Sequence, residues 1–137
     1  MLKKSILVAA VTAFTFAGAA FAQQEKAPVS PSPIKRDVIG KIEVPNSNWD
    51  IITAIVEIAP GFKAGRHLHP GIVQFEVLDG EFWLAMDDHP ERVFKTGEKF
   101  EYPMKVIHNE GALGDKWAKL VVTYMVERGQ PLVQPVK

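Results

Sequence analysis

The stretch GFKAGRHLHPGIVQFEVLDG, Gly61 to Gly80, decides how the rest of the chain is read, because it sets two of the four histidines one residue apart in a run that alternates like a strand. Side chains two apart in a strand share a face, so His67 and His69 point one way and Leu68 the other. Two imidazoles on one face are half of a metal site. The competing reading is an exposed H-x-H on a hairpin, and the spacing alone does not separate the two.

Working outward, Pro60-Gly61, Gly65 and Pro70-Gly71 punctuate the histidines, and Val73 to Leu78 reads as a strand. Asp79-Gly80 is a strong two-residue hairpin signal, with Glu81 to Met86 as the expected return strand. Phe82, Leu84 and Met86 share one face of that strand, Trp83 and Ala85 the other. Asp87 to Pro90 turns the chain and carries His89 as a turn residue. Short strands are expected at Arg92 to Phe94, Lys99 to Tyr102 and Val106 to Asn109. Upstream, Val38 to Val44 and Trp49 to Ala59 read as strands, the second with an apolar face of Ile52, Ala54, Val56 and Ile58. Downstream, Trp117 to Glu127 alternates with Ala118, Leu120, Val122, Tyr124 and Val126 inward. Short strands separated by Gly and Pro, without sustained helical periodicity after the first 22 residues, predict an all-β sandwich or small barrel.

Residues 1–22 read as a leader. Lys3 and Lys4 form a basic start, Ile6 to Phe16 an apolar run, and Ala20-Phe21-Ala22 a small-x-small cleavage pattern, so a signal peptide cut after Ala22 is expected, with export to the periplasm or outside the cell. Residues 23–37, with three prolines before Lys35, are expected as a flexible N-terminal arm, 38–128 as a single domain, and 129–137 as an extended C-terminal tail. Lys3 and Lys4 belong to the leader, which leaves 14 of the 16 basic residues against 16 acidic ones. That weak acidic balance without a basic run argues against nucleic acid and against an anionic membrane as partners, and cleavage leaves no stable membrane insertion. The chain has no cysteine, so stability comes from packing or assembly, and metal ligands are limited to His and carboxylates.

With these residues in place, the chain resembles the cupin superfamily, whose fold is a double-stranded β-helix or jelly-roll barrel. The family's first motif runs glycine, five residues, H-x-H, three or four residues, glutamate, six residues, glycine; Gly61, His67, His69 and Gly80 match it. Its second motif is matched by Gly97, Pro103 and His108, with Lys105 where glycine is usual and Ala112 where asparagine closes the motif. The resemblance implies a metal held by His67, His69 and His108. The family's glutamate position falls on Val73, or on Gln74 when four residues intervene, and neither is a carboxylate. Gln74 is the candidate additional ligand only where a bulge near Pro70-Gly71 turns it inward, since its strand parity points it away.

The implied cofactor is a divalent ion, Fe, Mn, Zn or Ni. The expected interior is lined by Val73, Phe75, Val77, Phe82, Leu84 and Met86, and the partner is a small-molecule substrate or ligand. Similar cupins pair their sheets, so a homodimer is expected. The resemblance favours a metal-dependent enzyme of the oxygenase, isomerase or lyase kind, with a non-catalytic ligand-binding or metal-binding module of the cell envelope as the alternative. Glu76 reads as a rim carboxylate, and Lys105 as a turn residue or an anion partner.

Overall fold

The computed structural model describes residues 32–137, so the leader and most of the arm lie outside the described residues. Ten strands follow one another: β1 (Ile34–Glu43), β2 (Trp49–Ile58), β3 (His67–Leu68), β4 (Ile72–Asp79), β5 (Glu81–Met86), β6 (Arg92–Lys95), β7 (Lys99–Tyr102), β8 (His108–Leu113), β9 (Ala118–Glu127) and β10 (Gln134–Pro135). Among the described residues there is no α-helix. The strands form two five-stranded antiparallel sheets, ordered β1-β2-β9-β4-β7 and β10-β3-β8-β5-β6.

Alternation sets what each sheet buries. Ala54, Val56 and Ile58 of β2, Val73, Phe75 and Val77 of β4, and Leu120, Val122 and Tyr124 of β9 face inward and are all under a tenth exposed. Phe82 and Leu84 of β5 and Phe94 of β6 meet them from the second sheet, with the Phe75 ring 4.8 Å from Phe82 and 5.1 Å from Phe94. Burying each such side chain contributes about 1.5–3 kcal/mol, and edge-to-face aromatic pairs add to it.

Three expectations need correction. The strand at Val73 to Leu78 and the strand at Glu81 to Met86 are not a hairpin: β4 pairs with β7 and β9, while β5 pairs with β6 and β8. Asp79-Gly80 is instead the corner at which the chain passes from one sheet to the other. Gly80 has φ +77°, and a Cβ there would lie 2.4 Å from the Trp117 carbonyl oxygen, so the corner demands glycine for both conformation and close approach. The barrel is also not closed. The sheets face each other with β1, β7, β10 and β6 as free edges, and charges such as Lys35, Lys41, Arg92 and Lys99 lie along these edge strands, a common device against edge-to-edge pairing. Finally, β1 begins at Ile34, four residues inside the expected arm, and pairs with β2 from Ile34↔Ile58 to Glu43↔Asp50.

The C-terminal tail is extended, and it lies on its own chain. β10 pairs with β3 through Gln134↔Leu68 and Pro135↔His67, and the Val136 amide donates to the Arg66 carbonyl at 3.0 Å. Leu132 packs against the core as the tail passes.

Candidate metal centre

The histidines converge between the sheets. His67 opens β3 and His108 opens β8, and the two are cross-strand partners, so their rings lie 4.2 Å apart. His69 follows one residue beyond β3, on the same face as His67, with its ring 5.3 Å from His67 and 4.9 Å from His108. All three are at most 5% exposed. The first sheet covers them with Tyr102 and Tyr124, whose rings stand 5.3 and 5.7 Å from His69.

A fourth residue completes the cluster, and the motif comparison passes over it. Glu110 lies two residues beyond His108 in β8 and therefore on the same face. Its Oε1 is 3.6 Å from His67 Nε2 and its Oε2 is 3.7 Å from His108 Nε2. One donor atom from each of His67, His69, His108 and Glu110 lies within 4.8 Å of every other. The anionic ligand that the first motif lacks thus comes from the second ligand strand. Gln74, the sequence candidate for that role, is exposed on the outer face, beside Glu76 and Lys99 in an open surface hollow of about 480 Å³. Parity holds from Val73 to Val77, the one irregularity of β4 lying beyond them, between Val77 and Asp79. Val73 at 1% exposure does face inward, but as an apolar wall.

The imidazoles are held in one tautomer. Nδ1 of His67 donates to the Gly65 carbonyl at 2.7 Å, Nδ1 of His108 to the Val106 carbonyl at 3.0 Å, and Nδ1 of His69 to the Leu132 carbonyl at 2.8 Å. A carbonyl only accepts, so each Nδ1 carries a proton and each Nε2 is the nitrogen whose lone pair can meet an ion, that of His67 once the proton it shares with Glu110 has left. Those lone pairs face the common centre. His108 Nε2 is buried with no hydrogen-bond partner, an arrangement that costs free energy unless something electrophilic fills it. The donor set therefore fits a divalent ion: three neutral imidazole nitrogens, one carboxylate, and the backbone support for ring orientation that metal-ligating histidines usually have.

The protonation states agree with that role. Burial alone would raise the Glu110 carboxyl, but the His67 and His108 imidazoles beside it and the Tyr102 hydrogen bond outweigh it and bring its pKa down to about 2. Burial lowers His69 to about 4 and also lowers His108, which keeps both neutral at neutral pH. His67 is opposed by burial too, yet the Glu110 carboxylate 3.6 Å from its Nε2 raises it on balance. Burial and Glu110 hold the Tyr102 phenol well above its ordinary range, so it stays protonated and donates to Glu110 Oε2 at 2.5 Å.

A narrow cavity opens beside the cluster, leaving about 20 Å³ of free space. That is room for about one water molecule. Val73, Phe75 and Phe82 line it, whereas Val77, Leu84 and Met86 lie in the packed core. Other residues singled out in the sequence lie elsewhere. Glu76 pairs with Lys99 at 3.2 Å on the outer face. Lys105 sits in the turn before β8 at φ 59°, doing with strain what the family's glycine does freely. His89 is exposed, its Nδ1 donating to the Asp87 carbonyl at 2.7 Å.

Two antiparallel sheets enclosing three histidines and a glutamate define a small jelly roll with a cluster able to bind a metal ion. The cupin domain family matches residues 54–124, which hold all four candidate ligands, and the chain belongs to the cupin superfamily. No curated protein matches it in sequence. Among solved structures it is similar to a cupin-like protein from Thermotoga maritima MSB8, at 24% identity and TM-score 0.58 over 66% of this chain and 67% of the other. It is similar to oxalate oxidase in complex with the substrate analogue glycolate, at 20% identity and TM-score 0.59 over 79% of this chain and 57% of the oxidase. It is also similar to the DMSP lyase DddQ from Ruegeria pomeroyi DSS-3, at 21% identity and TM-score 0.55 over 62% of this chain. The chain spans 42% of that lyase. Likenesses at this level of identity show the fold.

Proposed function

We propose that this chain is an exported cupin that holds one divalent ion, Fe, Mn, Zn or Ni, on His67, His69, His108 and Glu110 and acts with it on a small molecule. The observation that supports the reading is one donor atom from each of three imidazoles and one carboxylate within 4.8 Å of one another, with every Nδ1 already engaged. A bound divalent ion supplies Lewis-acid chemistry, or redox chemistry when it is iron or manganese. The chain's own residues do the rest. The four ligands fix the ion's position, Tyr102 holds Glu110 in orientation, and the apolar walls of Val73, Phe75 and Phe82 exclude bulk water. Oxidase and lyase chemistry among similar folds supports the enzyme reading. Elemental analysis of the chain purified without chelator should find about one ion per chain, and turnover of a small substrate should stop with a chelator. A chain that takes up no ion overturns the reading.

One observation favours a second reading, a ligand-binding or metal-binding module of the cell envelope without chemistry: the cavity leaves only about 20 Å³. Export rests on the leader pattern of residues 1–22; mass spectrometry should find Gln23 as the first residue, and Met1 retained in a membrane fraction would contradict it. A homodimer is supported by an apolar ladder on the outer face of the first sheet, Ile42↔Ile51↔Met125↔Ile72, with Ile42 63% exposed. A monomer in sedimentation analysis would remove that proposal.

A further inference from the structure

Strand β1 lies outside the stretch that matches the cupin domain, yet it helps to wall the cavity beside the metal cluster. Its residues Ile34, Arg36 and Val38 pair with Ile58, Val56 and Ala54, all of them core residues. Paired residues share a face, so the register puts Arg36 on the inner side of the first sheet. Because β1 is the edge of that sheet, its inner side looks out through the gap between the sheets. Arg36 is accordingly exposed and still lines the cavity with His69, Tyr124 and Glu110. It is the one Lys or Arg on that wall, which apart from the cluster and the two tyrosines is apolar.

The neighbouring cations of β1 are engaged, Lys35 with Glu57 at 3.8 Å and Lys41 with Asp50 at 3.0 Å. Arg36 has no carboxylate partner among the described residues. It shares the cavity wall with Tyr124, and its charge bears on that phenol and on His67. A guanidinium stays charged at any ordinary pH and presents a planar fork that matches a carboxylate. A carboxylate that approached the cluster unaided would meet the anionic Glu110, and Arg36 at the mouth offsets that repulsion. The free space of about 20 Å³ limits what passes inward to one or two heavy atoms.

We infer that the cavity takes a small carboxylate, whose carboxylate group pairs with Arg36 at the mouth while the rest of the molecule points inward to His67, His69, His108 and Glu110. This assigns a substrate class to the site and rests on the metal-dependent reading above. The contribution belongs to this chain's N-terminal strand and not to the segment matched by the family.

The test is isothermal titration of the full processed chain, zinc-loaded and chelator-stripped, with acetate and propionate against the uncharged acetamide and propionamide. The wild type should bind the carboxylates in preference to the amides. Arg36→Gln should lose about tenfold or more of the carboxylate affinity, the worth of a charge-assisted hydrogen bond, with amide affinity unchanged. Arg36→Lys should fall between, since an ammonium keeps the charge and loses the fork. Both variants should keep the wild-type circular dichroism and zinc content, because Arg36 is exposed and is not among the ligands. Equal carboxylate binding by Arg36→Gln and wild type, or a wild type that does not distinguish carboxylate from amide, overturns the inference. Zinc content separates the two claims: a chain that binds no zinc but discriminates carboxylates through Arg36 sinks the metal reading alone, and a zinc-loaded chain without discrimination sinks this one alone.

Discussion

The two strands that carry the ligands are held in different ways. β8 is paired along its whole length with β5, from Met86↔His108 to Glu81↔Leu113, so His108 and Glu110 inherit their positions from a regular ladder, and the carbonyl that orients His108 is only two residues away. β3 is two residues long, touches β8 at the single pair His67↔His108, and is closed on its other side by β10. His69 lies beyond β3, and the carbonyl that orients its ring belongs to Leu132, 63 positions away. One half of the site is built by the sheet and the other half is clamped by the tail. The clamp, like Arg36, lies outside the residues that match the cupin domain.

The largest effect should come from breaking the braced half. Glu110→Gln removes the one anionic ligand but keeps the side chain's shape. Outer-shell partners of metal ligands are worth about 10–100-fold in affinity, and loss of the ligand itself should exceed that in a zinc titration, with the fold intact by circular dichroism. The same variant should lower the His67 pKa, since Glu110 is what raises it against burial; an unchanged His67 titration by NMR would show that the pair is not coupled.

Deleting residues 131–137 tests the clamped half. His69 loses the acceptor for Nδ1, and zinc affinity should fall by about 10–100-fold, less than for Glu110→Gln. A chain that binds zinc equally well without its tail would show that β3 positions His69 unaided.

The pH dependence sharpens the same contrast. In the metal-free protein His67 holds a proton more tightly than an ordinary histidine, so an incoming ion displaces it. Zinc affinity should therefore rise with pH, by about tenfold per unit below the folded His67 pKa, and level off above it. The His67 contribution to the stability of the metal-free fold should move oppositely, against the lowered His69 and His108, whose contributions are lost as pH falls below 6.5. The raised His67 pKa contributes stability that is fully present below the unfolded value of 6.5 and is lost as pH rises through the folded pKa. Calorimetry in buffers of different ionisation enthalpy should show proton release on zinc binding that grows towards about one per ion as pH falls below the folded His67 pKa.

The smallest effect belongs to the turn before β8. Lys105→Gly relieves a left-handed conformation worth about 1 kcal/mol, partly offset by the freer unfolded chain. The melting temperature should rise by no more than about 4–8 °C, with zinc affinity unaltered.

The parity of His67 and His69, the inward faces of β2, β5 and β9 and the distant His108 were all legible in the sequence, because alternation and motif spacing are local properties. Glu110 obeys the same parity rule relative to His108. It escapes the sequence reading because the strand is expected to end at Asn109 and the carboxylate is sought at the first motif's glutamate position, Val73 or Gln74. In the structure Gly111 sits within β8, since a Cβ there would lie 2.1 Å from the Phe62 carbonyl oxygen. That close approach is tertiary and leaves no mark on the neighbouring residues. Asp79-Gly80 misled for a related reason: a tight turn looks the same whether it returns to its own sheet or crosses to the other. The Leu132 contribution is a backbone carbonyl, and no side-chain identity announces it.

The central claim, one ion on three imidazoles and one carboxylate, is tested most directly by X-ray absorption at the zinc edge of the loaded chain. The account predicts multiple scattering from three imidazoles with Zn–N distances of about 2.0–2.1 Å and a carboxylate oxygen at about 2.0–2.2 Å, the oxygen lost in Glu110→Gln. A spectrum of oxygen neighbours without imidazole scattering would contradict it.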